Sequence, residues 1–342
     1  MAGLGVDAAA PPQSAGSEER GPMETFFIVN PSAGSGRAMR AWRRLQELVG
    51  APLAGRFTKG LGHASELAVE AAQEGYPLVV AVGGDGTANE TVNGLMQLPP
   101  HRRPAFGQLP AGTGNDFARN VGLPRRVDQW ARMLREPRLR SLDLGEVNGR
   151  FFLNATGVGF DAEVAYLADK MPTLIAGTFT YMVSLAVKLF TYRSQPMRIQ
   201  VDDTRLEERC FLTAVGNLPH FGGGIRICPG ARADDGLFEV VVVGDFSHLE
   251  VLRVLPRAFS GNHVTHPKVR VLAGRRVIID SDAPLHLQAD GEVFSGLPAH
   301  FEVHPAALQL LVPASAAASE PAPAALQDEA APSLIQPASP DG

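Results

Sequence analysis

Residues 78–82 read Leu-Val-Val-Ala-Val and break at once into Gly83-Gly84-Asp85-Gly86-Thr87, followed by a helix-compatible stretch that reaches Asn93. An unbroken apolar, β-branched run reads as a buried strand, and the glycines after it mark a turn into a helix. Glycine lets the backbone take positive φ and bring its N–H groups close to a ligand, while the helix N-terminus beyond favours negative charge. A phosphate suits such a junction, although an ordinary strand-ending turn uses the same Gly-Asp-Gly residues.

Two further loops share this plan. Asn30-Pro31-Ser32-Ala33-Gly34 follows a short apolar run at 26–29, and Pro110-Ala111-Gly112-Thr113-Gly114-Asn115-Asp116 follows another at 106–109. Between the first two loops, Trp42, Leu45, Leu48 and Val49 recur at helical spacing, Phe57-Thr58-Lys59 ends a short segment, and residues 64–74 form an Ala- and Glu-rich helix. Strands alternating with helices, with glycine loops between them, predict a doubly wound α/β domain over residues 23–141. Gly34-x-Gly36 begins a dinucleotide fingerprint, but Met39 stands where its third glycine belongs, which rejects an oxidoreductase of that type. Residues 124–140 read as a helical segment carrying Arg125, Arg126, Arg132, Arg135, Arg138 and Arg140 beside Trp130, Met133 and Leu134. That is a solvated face or a patch for acidic headgroups.

Beyond residue 141 the pattern becomes β-like, with runs at 151–153, 199–201, 210–215, 237–243, 277–280, 285–289 and 300–303. Their alternation predicts a mainly antiparallel second domain over 142–313, a sandwich or barrel whose final strand is free to return to the first domain. Residues 171–190 are the exception: mostly apolar, but interrupted by Thr173, Thr178, Thr180, Ser184 and Lys188. A buried or cleft-lining helix fits better than a membrane span, and its apolar face is a candidate for contact with a lipid chain.

At 342 residues, with 45% hydrophobic and 20% charged content, the chain suits a soluble protein of two domains. Cys210 and Cys228 are too few and too far apart for a zinc site or a disulfide framework, so a cytoplasmic location is expected. Residues 1–22 and 314–342 are rich in Ala and Pro and are expected to be disordered; the first lacks the apolar core of a secretion signal and reads as a dispensable extension or a misassigned start. Asp7, Glu18 and Glu19 against Arg20 give the first segment −2, and Glu320, Asp328, Glu329 and Asp341 give the second −4. Removing both from the chain's −5 leaves +1, which excludes a nucleic-acid footprint and allows transient, peripheral contact with an anionic membrane.

The three loops in this order resemble the diacylglycerol kinase catalytic family, which includes bacterial lipid kinases and the sphingosine and ceramide kinases; the likeness runs from about residue 26 to about residue 312. The resemblance implies an ATP-dependent kinase for a lipid hydroxyl, most directly that of diacylglycerol. Its nucleotide would be held by Asn30, Pro31, Ser32, Ala33, Gly34, Thr58, Gly83, Gly84, Asp85, Gly86, Thr87, Ala88, Asn89 and Thr113. Asn89 is expected to reach a phosphate or a metal-bound water, with Glu90 and Asn93 only capping and solvating the helix. Asp85 is the carboxylate nearest the phosphates, and a carboxylate there calls for a cation or another positive partner; Mg2+ is the expectation. Residues 229–237 resemble the loop in which bacterial members hold a structural magnesium. Matched by position, the ligands are the Arg232 carbonyl, the Asp235 carboxylate and the Leu237 carbonyl, although Asp-Gly before a strand is also a common hairpin turn.

Asp290-Gly291-Glu292 matches a late motif of the family. If the strand-like run before it stays extended through Gly291, both carboxylates point to one face and their closeness raises one pKa. Glu292 is then the proton acceptor and Asp290 its partner, with Asp85 the rival base and an Asp-Gly turn the competing structural reading. NAD kinase shares the GGDG loop and the two-domain plan, but the early Asn-Pro-Ser-Ala-Gly, the 110–116 loop and Ala-Asn-Glu after GGDGT stand against it. A catalytically silent nucleotide- or lipid-binding protein is the third reading, and oligomeric state stays open, a homodimer included.

Overall fold

The computed structural model describes residues 23–171 and 177–314. The expected extension at 1–22, residues 315–342 of the one expected at 314–342, and Thr173 lie outside them. The first half alternates as the sequence pattern requires: β1 (Thr25–Val29), α1 (Arg37–Val49), β2 (Ala54–Phe57), α2 (His63–Gln73), β3 (Leu78–Gly83), α3 (Asp85–Met96), β4 (Ala105–Pro110), α4 (Asp116–Asn120) and α5 (Val127–Arg135). Every residue of β3 is buried, as expected of a parallel strand covered by helices on both faces. On α1, Ala38, Trp42 and Leu45 share one turn-to-turn stripe and pack inward, with the Trp42 ring 5.1 Å from Phe27. Helices α1 and α5 pack together, as do α2 and α3.

The second half runs β5 (Arg138–Val147), β6 (Arg150–Phe152), β7 (Ala155–Gly159), α6 (Phe160–Lys170), α7 (Gly177–Thr191), β8 (Gln195–Val201), β9 (Thr204–Cys210), β10 (Leu212–Gly216), β11 (Phe238–Val243), α8 (His248–Ala258), β12 (Val269–Gly274), β13 (Arg276–Asp280), β14 (His286–Ala289), β15 (Glu292–Ser295) and β16 (Ala299–Val312). The run at 210–215 is broken at Phe211, whose N–H turns to the Val243 carbonyl. The Arg-rich helix ends at Arg135, because residues 138–147 pair antiparallel with β16 from Arg138 against Val312 to Val147 against Phe301.

One sheet crosses the molecule in the order β2-β1-β3-β4-β16-β13-β8-β9, with β5 paired to β16 and β6 to β5. Its first four strands are parallel, and β16 joins them through Leu310 opposite Phe106 while its other end pairs with β13. The chain therefore finishes by stitching its two halves through one 14-residue strand, with a bulge between His304 and Leu308. A second sheet, β12-β11-β10-β7-β14-β15, is antiparallel throughout. The two sheets enclose Phe152, Met197, Val277 and Phe301 from one side and Val158, Phe238, Val240 and Leu287 from the other. The outer face of the second sheet is covered by α6, α7 and α8 through Phe160, Val164, Leu189, Val251 and Val254.

Phe152 stacks on Phe238 at 5.7 Å, and a methyl group at Gly145 would lie 2.1 Å from the Phe152 ring, so the aromatic fills a space made for it. Phe152→Ala is expected to lower unfolding stability by about 3–5 kcal/mol, read from the shift of the urea midpoint at constant slope.

Candidate active site

Parallel β1, β3 and β4 end on one edge of the sheet, and the chain leaves β1 toward β2 on one side and returns to β3 on the other. Ligands of doubly wound sheets bind at such a switch point, and here three glycine loops crowd it. Asn30 Nδ2 donates to Thr87 Oγ1 at 3.0 Å, and Arg37 Nη2 donates to the Gly112 carbonyl at 2.8 Å, tying the first loop to the other two. A methyl group at Gly34, where φ is +58°, would lie 2.0 Å from the Ala111 carbonyl oxygen. One at Gly84 would lie 3.1 Å from Gly112 Cα. These glycines let backbone pack on backbone.

Not every residue expected at the nucleotide lies on the open edge. Ser32, Gly86 and Thr113 are exposed, and Asn30, Pro31, Ala33, Gly34, Thr58, Gly84 and Asp85 are half-buried. Gly83, Thr87 and Ala88 are buried; Thr87 Oγ1 acts by receiving Asn30. Asn89 is a correction: its Nδ2 donates to Asp290 Oδ2 at 2.9 Å and to the Phe151 carbonyl at 3.0 Å, so its amide joins α3 to the second half. Asn93 and Glu90 do more than solvate the helix. Asn93 exchanges hydrogen bonds with the Phe151 backbone in both directions, and Glu90 accepts from the Ala64 N–H at the start of α2.

Asp85 already has positive partners. Its oxygens accept from the Phe117 and Asp116 amides, each at 3.1 Å, at the start of α4. Burial raises its pKa, the two amides oppose the rise, and the Asp116 and Asp290 carboxylates add to it. Asp116 in turn accepts from Gly223 N–H at 2.6 Å and pairs with Arg119, which clasps the 222–224 loop of the second half against the first.

The Asp290-Gly291 step is a hairpin turn. Both residues have positive φ, +48° and +91°, and Ala289 pairs with Glu292 across β14 and β15, so the chain does not stay extended and the two carboxylates do not share a strand face. The Asp290 carboxylate accepts from Leu153 N–H (2.6 Å), Asn154 N–H (2.9 Å) and Asn89; burial raises its pKa and these donors oppose the rise. Glu292 is half-buried, pairs with Arg150 at 2.6 Å, and is not among the residues that line the cleft, although neighbouring Gly291 is.

That cleft encloses about 240 Å³ and is lined by five aspartates: Asp85, Asp116, Asp161, Asp169 and Asp290. Asp161 was not singled out in the sequence. It sits in the first turn of α6, is 8% exposed, accepts from Gln288 Nε2 at 3.0 Å through Oδ2, and leaves Oδ1 buried without a hydrogen-bond partner. Burial pushes its pKa up to about 6. Its trace in the sequence is Gly157-Val-Gly159-Phe-Asp161, because a methyl group at Gly157 would lie 1.8 Å from Asp161 Oδ2. Asp161 and Phe221 also line a second cavity of about 260 Å³ whose other walls include Phe160, Val164, Leu185, Phe211 and Val254.

The loop expected to hold a cation is anchored by buried Asp143, which accepts from Gly236 N–H and Ala306 N–H, both at 2.7 Å. Exposed Arg232 pairs through its side chain with Asp234, and Asp235 Oδ1 accepts from the Leu237 N–H at 3.0 Å. Lost hydration raises the Asp235 pKa, and the Asp143 and Asp234 carboxylates raise it further, which a cation would relieve. No cluster of three or more His, Cys, Asp or Glu side chains suited to a metal occurs among the described residues, so an ion here depends on the Arg232 and Leu237 carbonyls.

Two family models match the chain, the diacylglycerol kinase catalytic domain over residues 24–147 and the YegS C-terminal NAD kinase beta sandwich-like domain over residues 154–312. A diacylglycerol kinase of Staphylococcus aureus is 31% identical over 279 residues, covering 80% of this chain and 88% of its own length. The chain belongs to the diacylglycerol kinase catalytic-domain family. A diacylglycerol kinase of Staphylococcus epidermidis is 32% identical over 71% of this chain and 77% of its own length. The crystal structure of a putative diacylglycerol kinase from Bacillus anthracis, 24% identical, shares the fold with a TM-score of 0.71 over 86% of this chain and all of that one.

The Asp161 pKa has a measurable sign. In the unfolded chain the group titrates near 3.8 and in the folded protein at about 6, so between those values the folded state binds more protons and stability falls as pH rises. Asp161→Asn is expected to remove this fall and to be more stable than the parent above pH 6 by roughly 2–3 kcal/mol, measured by urea unfolding at pH 4.5 and 7.5.

Proposed function

We propose that this lipid-kinase family member transfers the γ-phosphoryl group of ATP, with Mg2+, to the hydroxyl of diacylglycerol or a related lipid. Asp161 carries the reading: this one residue lines both an acidic cleft and an apolar cavity. A lipid chain in the apolar cavity would present its polar end to the aspartates, and the unpartnered Asp161 Oδ1 is an acceptor for that hydroxyl. A second nucleotide, as NAD kinase requires, would place a polar dinucleotide against Phe160, Val164 and Phe211, an environment it does not match.

The nucleotide is assigned to the open edge of the three loops, where Asn30–Gly34, Gly84, Gly86 and Thr113 present backbone and small polar groups. Magnesium bound to the phosphates would offset the cleft's negative charge. In the transfer, the lipid oxygen forms a bond to the γ-phosphorus, the bond from that phosphorus to the β-phosphate oxygen breaks, and ADP leaves. The hydroxyl proton is assigned to Asp161, whose Oδ1 has no hydrogen-bond partner. Asp85 and Asp290 have both oxygens engaged by N–H donors, and Glu292 pairs with Arg150 and does not line the cleft.

Incubation with labelled ATP, Mg2+ and a total lipid extract should yield one phosphorylated lipid class; no labelled lipid would overturn the reading. Asp161→Asn should lower kcat by ~10²-fold or more and leave the ATP KM unchanged, while Glu292→Gln should keep both near the parent values. Gly86 tests the loops cleanly. A methyl group there meets no atom within 4 Å, so Gly86→Val should keep the parent Tm while ATP affinity falls at least ~10-fold. Gly84→Val would press on Gly112 and confound the two effects.

A further inference from the structure

Helix α8 is apolar on two sides. Val251, Val254 and Ala258 are buried against the second sheet and its neighbours. On the opposite side Leu249, Leu252, Pro256 and the capping Phe259 follow one another at turn spacing, and the three larger side chains are 64%, 44% and 57% exposed. A helix on an ordinary protein surface carries polar residues there. Arg253 and Arg257 border this stripe one turn apart; both are exposed, and among the described residues no carboxylate lies within ion-pair distance of either. The helix's one acid, Glu250, is held by Lys268 at 2.7 Å. Adjacent α7 leaves Val187 and Phe190 exposed as well. Phe259 belongs to both features, since it is exposed on the stripe and lines the apolar cavity beside Leu255.

We infer that the outward face of α8 docks on an anionic lipid bilayer and sets the mouth of the apolar cavity at the membrane surface. The proposal rests on the lipid-kinase reading for what enters the cavity. Three features must be met by one partner: an apolar stripe, two unneutralised guanidinium groups, and a cavity whose wall continues the stripe. A bilayer supplies acyl chains for the first, acidic headgroups for the second, and a lipid that reaches the third without crossing water. The Arg-rich helix α5 meets none of these together. Its Trp130, Met133 and Leu134 are buried, and Arg126 and Arg132 are engaged by Asp128.

The test uses the full chain and large unilamellar vesicles of phosphatidylcholine with 30 mol% phosphatidylglycerol, at roughly physiological salt where the Debye length is about 8 Å. Leu249→Gln/Leu252→Gln should weaken co-sedimentation at least ~10-fold. Arg253→Gln/Arg257→Gln should weaken it by about fivefold for each arginine removed, and only on vesicles that contain the anionic lipid. None of these residues lines the cleft or the cavity, so phosphorylation of a soluble short-chain diacylglycerol should stay at the parent rate in both variants. Parent-level vesicle binding by the leucine variant overturns the proposal. So does loss of a dimer in sedimentation velocity with vesicle binding unchanged, which would assign the face to a second copy of the chain. If the parent binds vesicles through this face and phosphorylates no lipid, the docking surface stands and the kinase reading fails.

Discussion

The Asp290 carboxylate accepts two backbone N–H groups from the strand connection at 153–154 and a side-chain N–H from Asn89 on α3. Hydrogen bonds to an ionised acceptor are about twice as strong as neutral ones, and all three donors would be left unsatisfied without it. The tight turn that aims this carboxylate needs two residues at positive φ, which an Asp-Gly pair provides at little cost. Thus the residue that looked like half of a catalytic pair is the pin that locks the GGDGT helix to the second half. Asp116 makes the reverse clasp, reaching from the first half to Gly223. With β16 running through both halves, these two carboxylates fix the cleft between them.

The pins leave a high density of negative charge. Asp85, Asp116 and Asp290 each accept from N–H donors, and at Asp85 and Asp290 those donors oppose the rise in pKa that burial imposes. A triphosphate entering the same space meets five aspartates, and Arg119 is already committed to Asp116. The proposed magnesium is the economical solution. It takes oxygen ligands, keeps several waters, and needs only one or two carboxylates once phosphates complete its shell. A cleft that spreads its carboxylates over several elements suits an ion that arrives with the nucleotide.

Much of this was legible in the sequence, and the failures share a cause. The β3 run, the glycine loops and the change to antiparallel strands are local patterns, and local pattern fixed their place. What could not be read were partners far away in the chain. Asn89 looked like a phosphate ligand because it follows GGDGT by two residues, yet its partners are Phe151 and Asp290. Arg138 and Arg140 looked helical until β16, some 170 residues later, claimed them as strand. Asp161 left a faint local signal in Gly157, but a lone aspartate in the first turn of a helix is ordinary capping chemistry. Only packing reveals that one of its oxygens has nothing to bond.

That orphaned oxygen connects stability to function. Burying a carboxylate with one oxygen unsatisfied is unfavourable, and packing with Gln288 and Gly157 compensates it only in part. A lipid hydroxyl donating to Oδ1 would complete the set, so binding would relieve a strain that the free protein carries. The same donor would lower the Asp161 pKa from about 6, because a hydrogen bond to the charged form favours that form. Lipid binding should therefore release protons from Asp161 near pH 6, and its affinity should rise with pH through that region. A bound lipid that left the proton count unchanged would have placed its hydroxyl elsewhere in the cleft.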